Sequence, residues 1–263
     1  IYGAQYYGQG NMEGFRNTVR MKIWVCGICM LIGLLLFILA GENLIGLYLH
    51  GESADVDAVL TMRYAKQYLM VMLFTLFPFV VTQIYASSLR ETGDSLKPMA
   101  AGVVSVFVDI VFNYLLIYGK CGLPEMGVQG AAVATVLARV VEALVVVLWA
   151  HIQKKQHEFL HGLYRTLLLP KKLVVKMIKK GLPIFFNEFL WAGGMAALTQ
   201  CYSTRGLEIV AGLNISNAIC NLLNVVFVAL GSAVGILSGQ TLGASHYEKA
   251  KKDAFQLMGF SAA

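Results

Sequence analysis

Between Ile209 and Gly239 the chain carries no charged side chain. A helix needs about 20 apolar residues to cross the hydrocarbon core of a bilayer. Comparable runs recur at Ile23–Gly41, Gln67–Leu89, Pro98–Gly119, Gly127–Ala150 and Leu182–Thr204. In lipid every backbone N–H and C=O must find its partner inside the segment, so such runs are expected to be helices. The sequence therefore predicts an all-α, polytopic membrane protein with six spans. Composition agrees. Charged residues make up 14% of the chain, against about 25% in soluble domains.

The polar segment 151–180 orders these spans. It holds eight cations: Lys154, Lys155, Arg165, Lys171, Lys172, Lys176, Lys179 and Lys180. A short basic loop stays on the cytoplasmic side. If the spans alternate, Arg16, Arg20, Lys22, Arg90, Lys97, Lys249, Lys251 and Lys252 join it there, sixteen cations in all. The opposite side keeps four: Arg63, Lys66, Lys120 and Arg205. The outer segment Glu42–Asp57 is acidic instead. This asymmetry supports the six-span count and a plasma-membrane, multi-pass location. It divides the chain into a first helical block (1–150), a basic cytoplasmic linker (151–180) and the opening of a second block (181–263). Ile1–Gln5 reads as the tail of an earlier span and Phe255–Ala263 as the start of a later one. No signal peptide is read, and the chain is expected to be the middle of something longer.

Several function classes fall away. The cations lie between apolar runs, with no aromatic-laced basic groove, so nucleic acid is not an expected partner. No Gly-rich phosphate loop is present, which argues against an ATP-driven pump. Four of the five cysteines fall inside apolar runs, so a disulfide framework is not expected; Cys26-x-x-Cys29 has redox spacing but lacks a βαβ setting and reads as a pair of small buried hydrophobes. No cofactor or metal is expected.

The chain also echoes itself. Gln5-Tyr-Tyr-Gly8, with Glu13 and Arg16 following, recurs as Gln240-Thr-Leu-Gly243, with Glu248 and Lys251 following. Both copies follow an apolar run, fall on the inside face and are expected to open a short amphipathic stretch. A constant offset of 235 residues suggests a parallel repeat of six spans, as in secondary transporters, and about twelve spans in the complete protein.

Ionisable groups inside spans are expensive and are functional candidates by default. Glu188 lies five residues beyond Gly181-Leu182-Pro183, which reads as the start of a helix. That places it about 7.5 Å into the apolar zone at 1.5 Å per residue, next to Asn187 and one turn from Trp191. Burial would raise a carboxylate's proton affinity toward neutral pH, as an exchanger of H⁺ or Na⁺ requires; the other reading is a packing hydrogen bond. Asn214, Asn217, Asn221 and Asn224 share one helical face, suited equally to lining a cavity and to bonding neighbouring helices. Gly102, Ser105, Asp109 and Asn113 share a face of the third span; Asp109 reads either as a second cavity carboxylate or as a partner of Arg139. Arg139 and Glu142, three apart, most simply satisfy each other. Gly231, Gly235, Gly239 and Gly243 suit close helix approach. Pro78, with Thr75 and Thr82, predicts a kink.

One motif points elsewhere. His157-Glu158-Phe-Leu-His161 matches H-E-x-x-H, which on a helix holds Zn²⁺ between its histidines with the glutamate as general base. A membrane zinc protease is the remote alternative, without an evident third ligand.

Taken as a set, the loops resemble those of the multidrug and toxic compound extrusion (MATE) family, bacterial type. Leu89-Arg-Glu-Thr-Gly-Asp94 with Lys97-Pro98-Met99 is similar to its loop between helices 4 and 5. Asn113-Tyr-Leu-Leu-Ile117 to Gly119 resembles the end of helix 5. Pro124 with Gly127-Val-Gln-Gly-Ala-Ala-Val-Ala-Thr135, Arg139 and Glu142 resembles helix 6. Gly181-Leu-Pro183 with Asn187, Glu188 and Trp191 resembles helix 7, and Gly239-Gln-Thr-Leu-Gly-Ala244 the exit of helix 8. The resemblance implies a chain running from the end of helix 2 into the start of helix 9, with helices 3–8 complete, in a fold of two six-helix bundles. It implies a secondary antiporter that exports organic cations and amphipathic drugs in exchange for H⁺ or Na⁺. Glu188 and Asp109 would couple the ion, and Asn187, Trp191, the four asparagines and Asn113 would line the cavity. Small-molecule substrates and the bilayer are the expected partners, with no obligate protein partner. A lipid-linked oligosaccharide flippase of the same fold superfamily is the near alternative.

Overall fold

The computed structural model describes residues 2–48, 58–153, 157–205, 207–245 and 247–262. Lys154, Lys155 and most of the acidic outer segment, 49–57, lie outside them. Among the described residues the regular structure is helical: α1 (Tyr2–Gly8), α2 (Met12–Tyr48), α3 (Ala58–Met72), α4 (Leu76–Glu91), α5 (Leu96–Ile117), α6 (Val128–Ile152), α7 (Lys171–Ser203), α8 (Leu207–Gly243) and α9 (Tyr247–Ala262).

Five stretches are long and apolar enough to span a bilayer: Met12–Gly46, Val59–Glu91, Leu96–Ile117, Val128–Ile152 and Ala211–Gly243. The sixth expected span, Leu182–Thr204, falls on α7, with Thr204 as the cap beyond its last residue. That helix is long enough, but its share of Asn187, Glu188 and Gln200 keeps it out of the apolar set. The helices are dressed for lipid. Leu31, Ile32, Leu35 and Leu39 of α2 and Val226 and Phe227 of α8 all point outward. Lipid tails are as apolar as these side chains, so exposing them there carries no penalty.

The α-helix of the second span is interrupted near the expected kink. A 3-10 turn, Leu73–Thr75, separates α3 from α4 just before Pro78. Proline has no N–H and its ring collides with the carbonyl four residues back, which is that of Phe74. Thr75 Oγ donates to the Met72 carbonyl at 2.6 Å in the same turn. The span starts earlier than its apolar run, so Arg63 and Lys66 ride on α3, where Lys66 pairs with Glu42 of α2.

α6 is the hub of the first block, packing against α3, α4 and, most extensively, α5. The backbones of α5 and α6 meet at Gly130, where a Cβ would come 2.7 Å from the Leu116 carbonyl oxygen. Ser105 Oγ donates to the Ala138 carbonyl at 3.0 Å across the same seam.

The linker departs from a solvated loop. α6 runs on to Ile152 and α7 begins at Lys171, so Lys171, Lys172, Lys176, Lys179 and Lys180 lie on a helix. Pro170, extended at φ −61° and ψ 123°, caps it. Pro183 is then inside α7 rather than in its first turn, because the lysine-rich stretch before it is a good helix former. Residues 158–167 of the linker are strapped along α2. Arg16 Nη2 donates to the Glu158 carbonyl at 3.3 Å. Arg20 Nε and Nη2 donate to the Leu163 and Gly162 carbonyls at 3.0 and 2.8 Å. Trp24 Nε1 donates to the Leu167 carbonyl at 3.1 Å. These donors sit at steps of four on one face of α2. Beneath them Phe15 and Val19 pack on Phe159, Leu160 and Leu163.

The cysteines are unpaired; of the pair expected to be buried, Cys26 is half-buried and Cys29 exposed, and Cys121, Cys201 and Cys220 are exposed as well. Their spans face outward more than a soluble core would.

Candidate functional site

α7 and α8 face the Glu91 end of α4 across a cavity of about 1160 Å³. α7 contributes Asn187, Glu188 and Trp191. α8 contributes Asn221 and Asn224, then Val225, Val228, Ala229, Ser232, Ala233, Ile236, Leu237 and Gln240. Arg90, Gly93 and Ser95 close the other side. The walls are thus largely apolar, with a few polar groups converging, as in small-molecule sites. Glu188 and Trp191 are exposed to this space rather than buried among helices. The carboxylate and the Arg90 guanidinium put opposite charges on opposite walls. Arg90 is steadied by its own helix, Nε donating to the Ala86 carbonyl at 3.2 Å.

The asparagine row divides. Asn221 and Asn224 line the cavity, whereas Asn214 and Asn217 do not, although all four share a face. α8 is long, and its first turns extend past the cavity toward the far membrane face.

Asp109 and Asn113 do not line this cavity either. Their side of α5 also carries Ser105, which is hydrogen-bonded to α6, so that face packs within the first block. Asp109 Oδ1 is buried there without a hydrogen-bond partner. Arg139 pairs with Glu142, Nη1 to Oε2 at 2.8 Å, and its guanidinium lies 5.7 Å from the Phe79 ring centre. Glu142 reaches a second, smaller cavity of about 260 Å³ with Thr82, Gln83 and Arg90.

The H-E-x-x-H residues are not on an α-helix. Glu158–Leu160 is a single 3-10 turn with His157 and His161 as its flanks, so the i, i+4 face that zinc chemistry needs does not form. His157 is buried and turned toward Asp94, Nε2 to Oδ2 at 3.6 Å. Burial foremost, then the nearby Lys97 ammonium, hold its imidazole below the usual histidine range, opposed by Asp94. Among the described residues no cluster of three metal-ligating side chains occurs.

Sequence reasoning missed the wall formed by Arg90, Gly93 and Ser95. Arg90 was visible as one more inside cation, but nothing in a charge count marks which cations border a cavity. It also missed the polar knot around Glu91. Lys22 Nζ pairs with Glu91 at 2.6 Å and donates to Ser87 Oγ at 3.1 Å, and Gln240 Nε2 donates to the Glu91 carbonyl at 2.8 Å.

Apolar helices dressed for lipid around a solute-sized cleft, whose largely apolar walls carry a few converging polar groups, define a multi-pass membrane protein with a candidate small-molecule site. The MatE family model matches residues 1–115 and 183–263, and the chain belongs to that family. Its relatives include the probable multidrug resistance protein YoeA of Bacillus subtilis (strain 168), 28% identical over 95% of this chain and 52% of the relative. Another is the probable multidrug resistance protein NorM of Thermotoga maritima, 31% identical over 70% of this chain and 39% of the relative. The chain therefore spans about half the length of the curated relatives it matches. A solved structure, described as the inward-facing conformation of a multidrug resistance MATE family transporter of the MOP superfamily, shares the fold with a TM-score of 0.70. It is 21% identical, over 97% of this chain and 55% of that one.

Proposed function

We propose that the protein exports amphipathic, cationic small molecules across the plasma membrane in exchange for H⁺ or Na⁺, by alternating access of one central cavity. The cavity between the two blocks carries this reading. Its volume of about 1160 Å³ exceeds the roughly 300–1,000 Å³ typical of ligand pockets. Trp191 and the aliphatic face of α8 suit an apolar body, Glu188 a cationic centre, and Asn187, Asn221 and Asn224 varied hydrogen-bonding groups. Glu188 is proposed to take up the coupling ion in competition with solute. Asp109, with its unpartnered buried oxygen and Asn113 one turn on, is proposed as a second ion site inside the first block.

A phosphate-handling flippase would need a cavity dominated by cations. The lining residues hold one of each sign, Arg90 and Glu188, which favours the drug antiporter. The test is dye efflux by the full-length protein in vesicles under imposed pH and Na⁺ gradients. Glu188→Gln is expected to cut gradient-driven efflux at least about tenfold, the equivalent of roughly 1.4 kcal/mol. Efflux at the unmodified rate under both gradients removes Glu188 from coupling.

A further inference from the structure

The two copies of the Gln-x-x-Gly sequence do more than repeat: they meet. Gln5 and Gly8 lie on α1; Gln240 and Gly243 end α8, 235 residues on in each case. A Cβ placed on Gly8 would lie 2.9 Å from the carbonyl carbon of Gln240, and nearer still to its oxygen. A Cβ placed on Gly243 would lie 2.9 Å from the carbonyl carbon of Gln5, again nearer to the oxygen. The roles are exchanged and the distances match. That is the pattern of a two-fold contact, in which residue i of one copy touches j of the other and j touches i. Both glycines are required for the backbones to come this close.

The crossing is anchored to the first block. Gln240 donates its side-chain amide to the Glu91 carbonyl, and the Glu91 carboxylate is held by Lys22 of α2. Gly3 of α1 makes room for that same carboxyl group, whose carbon would be 2.6 Å from a Cβ there. Three helices of the first block thus converge on the end of α8. Gln240 also belongs to the cavity wall. The cations that follow each copy, Arg16 and Arg20 after the first and Lys249, Lys251 and Lys252 after the second, assign this end to the cytoplasm.

We infer that the reciprocal Gly8–Gln240 and Gly243–Gln5 crossing is the cytoplasmic seal of the cavity. While it is formed, α1 and α8 hold the inner ends of the two blocks together beside the cavity. It must part before solute reaches the cavity from inside. The inference rests on the alternating-access reading, but its test does not depend on transport.

In the full-length protein, with Cys26, Cys29, Cys121, Cys201 and Cys220 replaced by alanine, spin labels go on Gln9→Cys and Tyr247→Cys, both exposed and just beyond the crossing. Gly8→Ala and Gly243→Ala are each expected to shift the label distance to longer values, and by similar amounts, because the contact is symmetric. Gly33→Ala, on a face of α2 with nothing within 4 Å, is expected to leave it unchanged. Gln240→Ala deletes the bond to Glu91 without adding bulk. It should lengthen the distance less, and it serves if the glycine variants do not fold by circular dichroism and gel filtration. An unchanged distance in folded Gly8→Ala or Gln240→Ala protein, or equal lengthening in Gly33→Ala, overturns the seal. If distances lengthen as expected while no gradient drives efflux, the seal stands and the antiport reading falls.

Discussion

At the residue scale the strap shows how few side chains fix a long connection. Arg20 is nearly buried and satisfies two linker carbonyls at once. Hydrogen bonds from a charged donor contribute about 1.5–3 kcal/mol, and buried carbonyls left without a donor add to the loss. Arg20→Ala is expected to free the segment around Arg165 and to speed trypsin cleavage there several-fold, read on a gel against wild type. His157 adds a pH dependence to the same strap. Its pKa is held below the ordinary value of about 6.5, so the released strap binds a proton more readily than the docked one. Docking is then at full strength above about pH 6.5 and weakens as pH falls below it, until the docked histidine also protonates. A spin label on Arg165→Cys is expected to gain mobility between about pH 7.5 and pH 5.5, and His157→Gln should abolish that change. None of this was legible in the sequence, where His157 appeared in a zinc pattern. Asp94 and Phe159, which hold it, are ordinary loop and apolar residues until the fold brings them together.

At the scale of elements, apolar run length located most of the helices well, because lipid leaves the backbone no alternative to the helix. Boundaries failed where charge and helix coincide. Lys171 to Lys180 read as loop by polarity, yet they are helical by propensity, and Pro183 marks no helix start because it lies inside α7. Glu188 and Asn221 were legible as polar groups in apolar runs. That Asn214 and Asp109 stand away from the cavity was not, since a face of a helix says nothing about which neighbour covers which turn. The α5–α6 seam offers a test at this scale. Gly130 is marked in the sequence only by its place in the small-residue motif that resembles helix 6, yet a Cβ there collides with backbone, not with a movable side chain. Gly130→Ala is expected to cost about 1–3 kcal/mol through overpacking and to lower the thermal midpoint in detergent, whereas Gly102→Ala on α5, with nothing within 4 Å, should not.

For the whole molecule, every statement about inside and outside descends from sixteen cations against four. The arrangement gives that asymmetry a consequence for chemistry, because the Arg90 wall of the cavity and the Gly8–Gly243 crossing both lie on the cation-rich side. Cys121 provides the test. It is exposed in the turn between α5 and α6, on the cation-poor side, next to Lys120. With the other four cysteines replaced by alanine, a membrane-impermeant maleimide added to intact cells should label Cys121. A cysteine introduced at Gly162, in the strap, should label only after the membrane is opened. Because the spans are joined in series, the two sites cannot be reassigned independently. Labelling of Gly162→Cys but not Cys121 from outside would invert the molecule. It would place the crossing of α1 and α8 at the outer end of the cavity, and a seal that parts there would release solute rather than admit it.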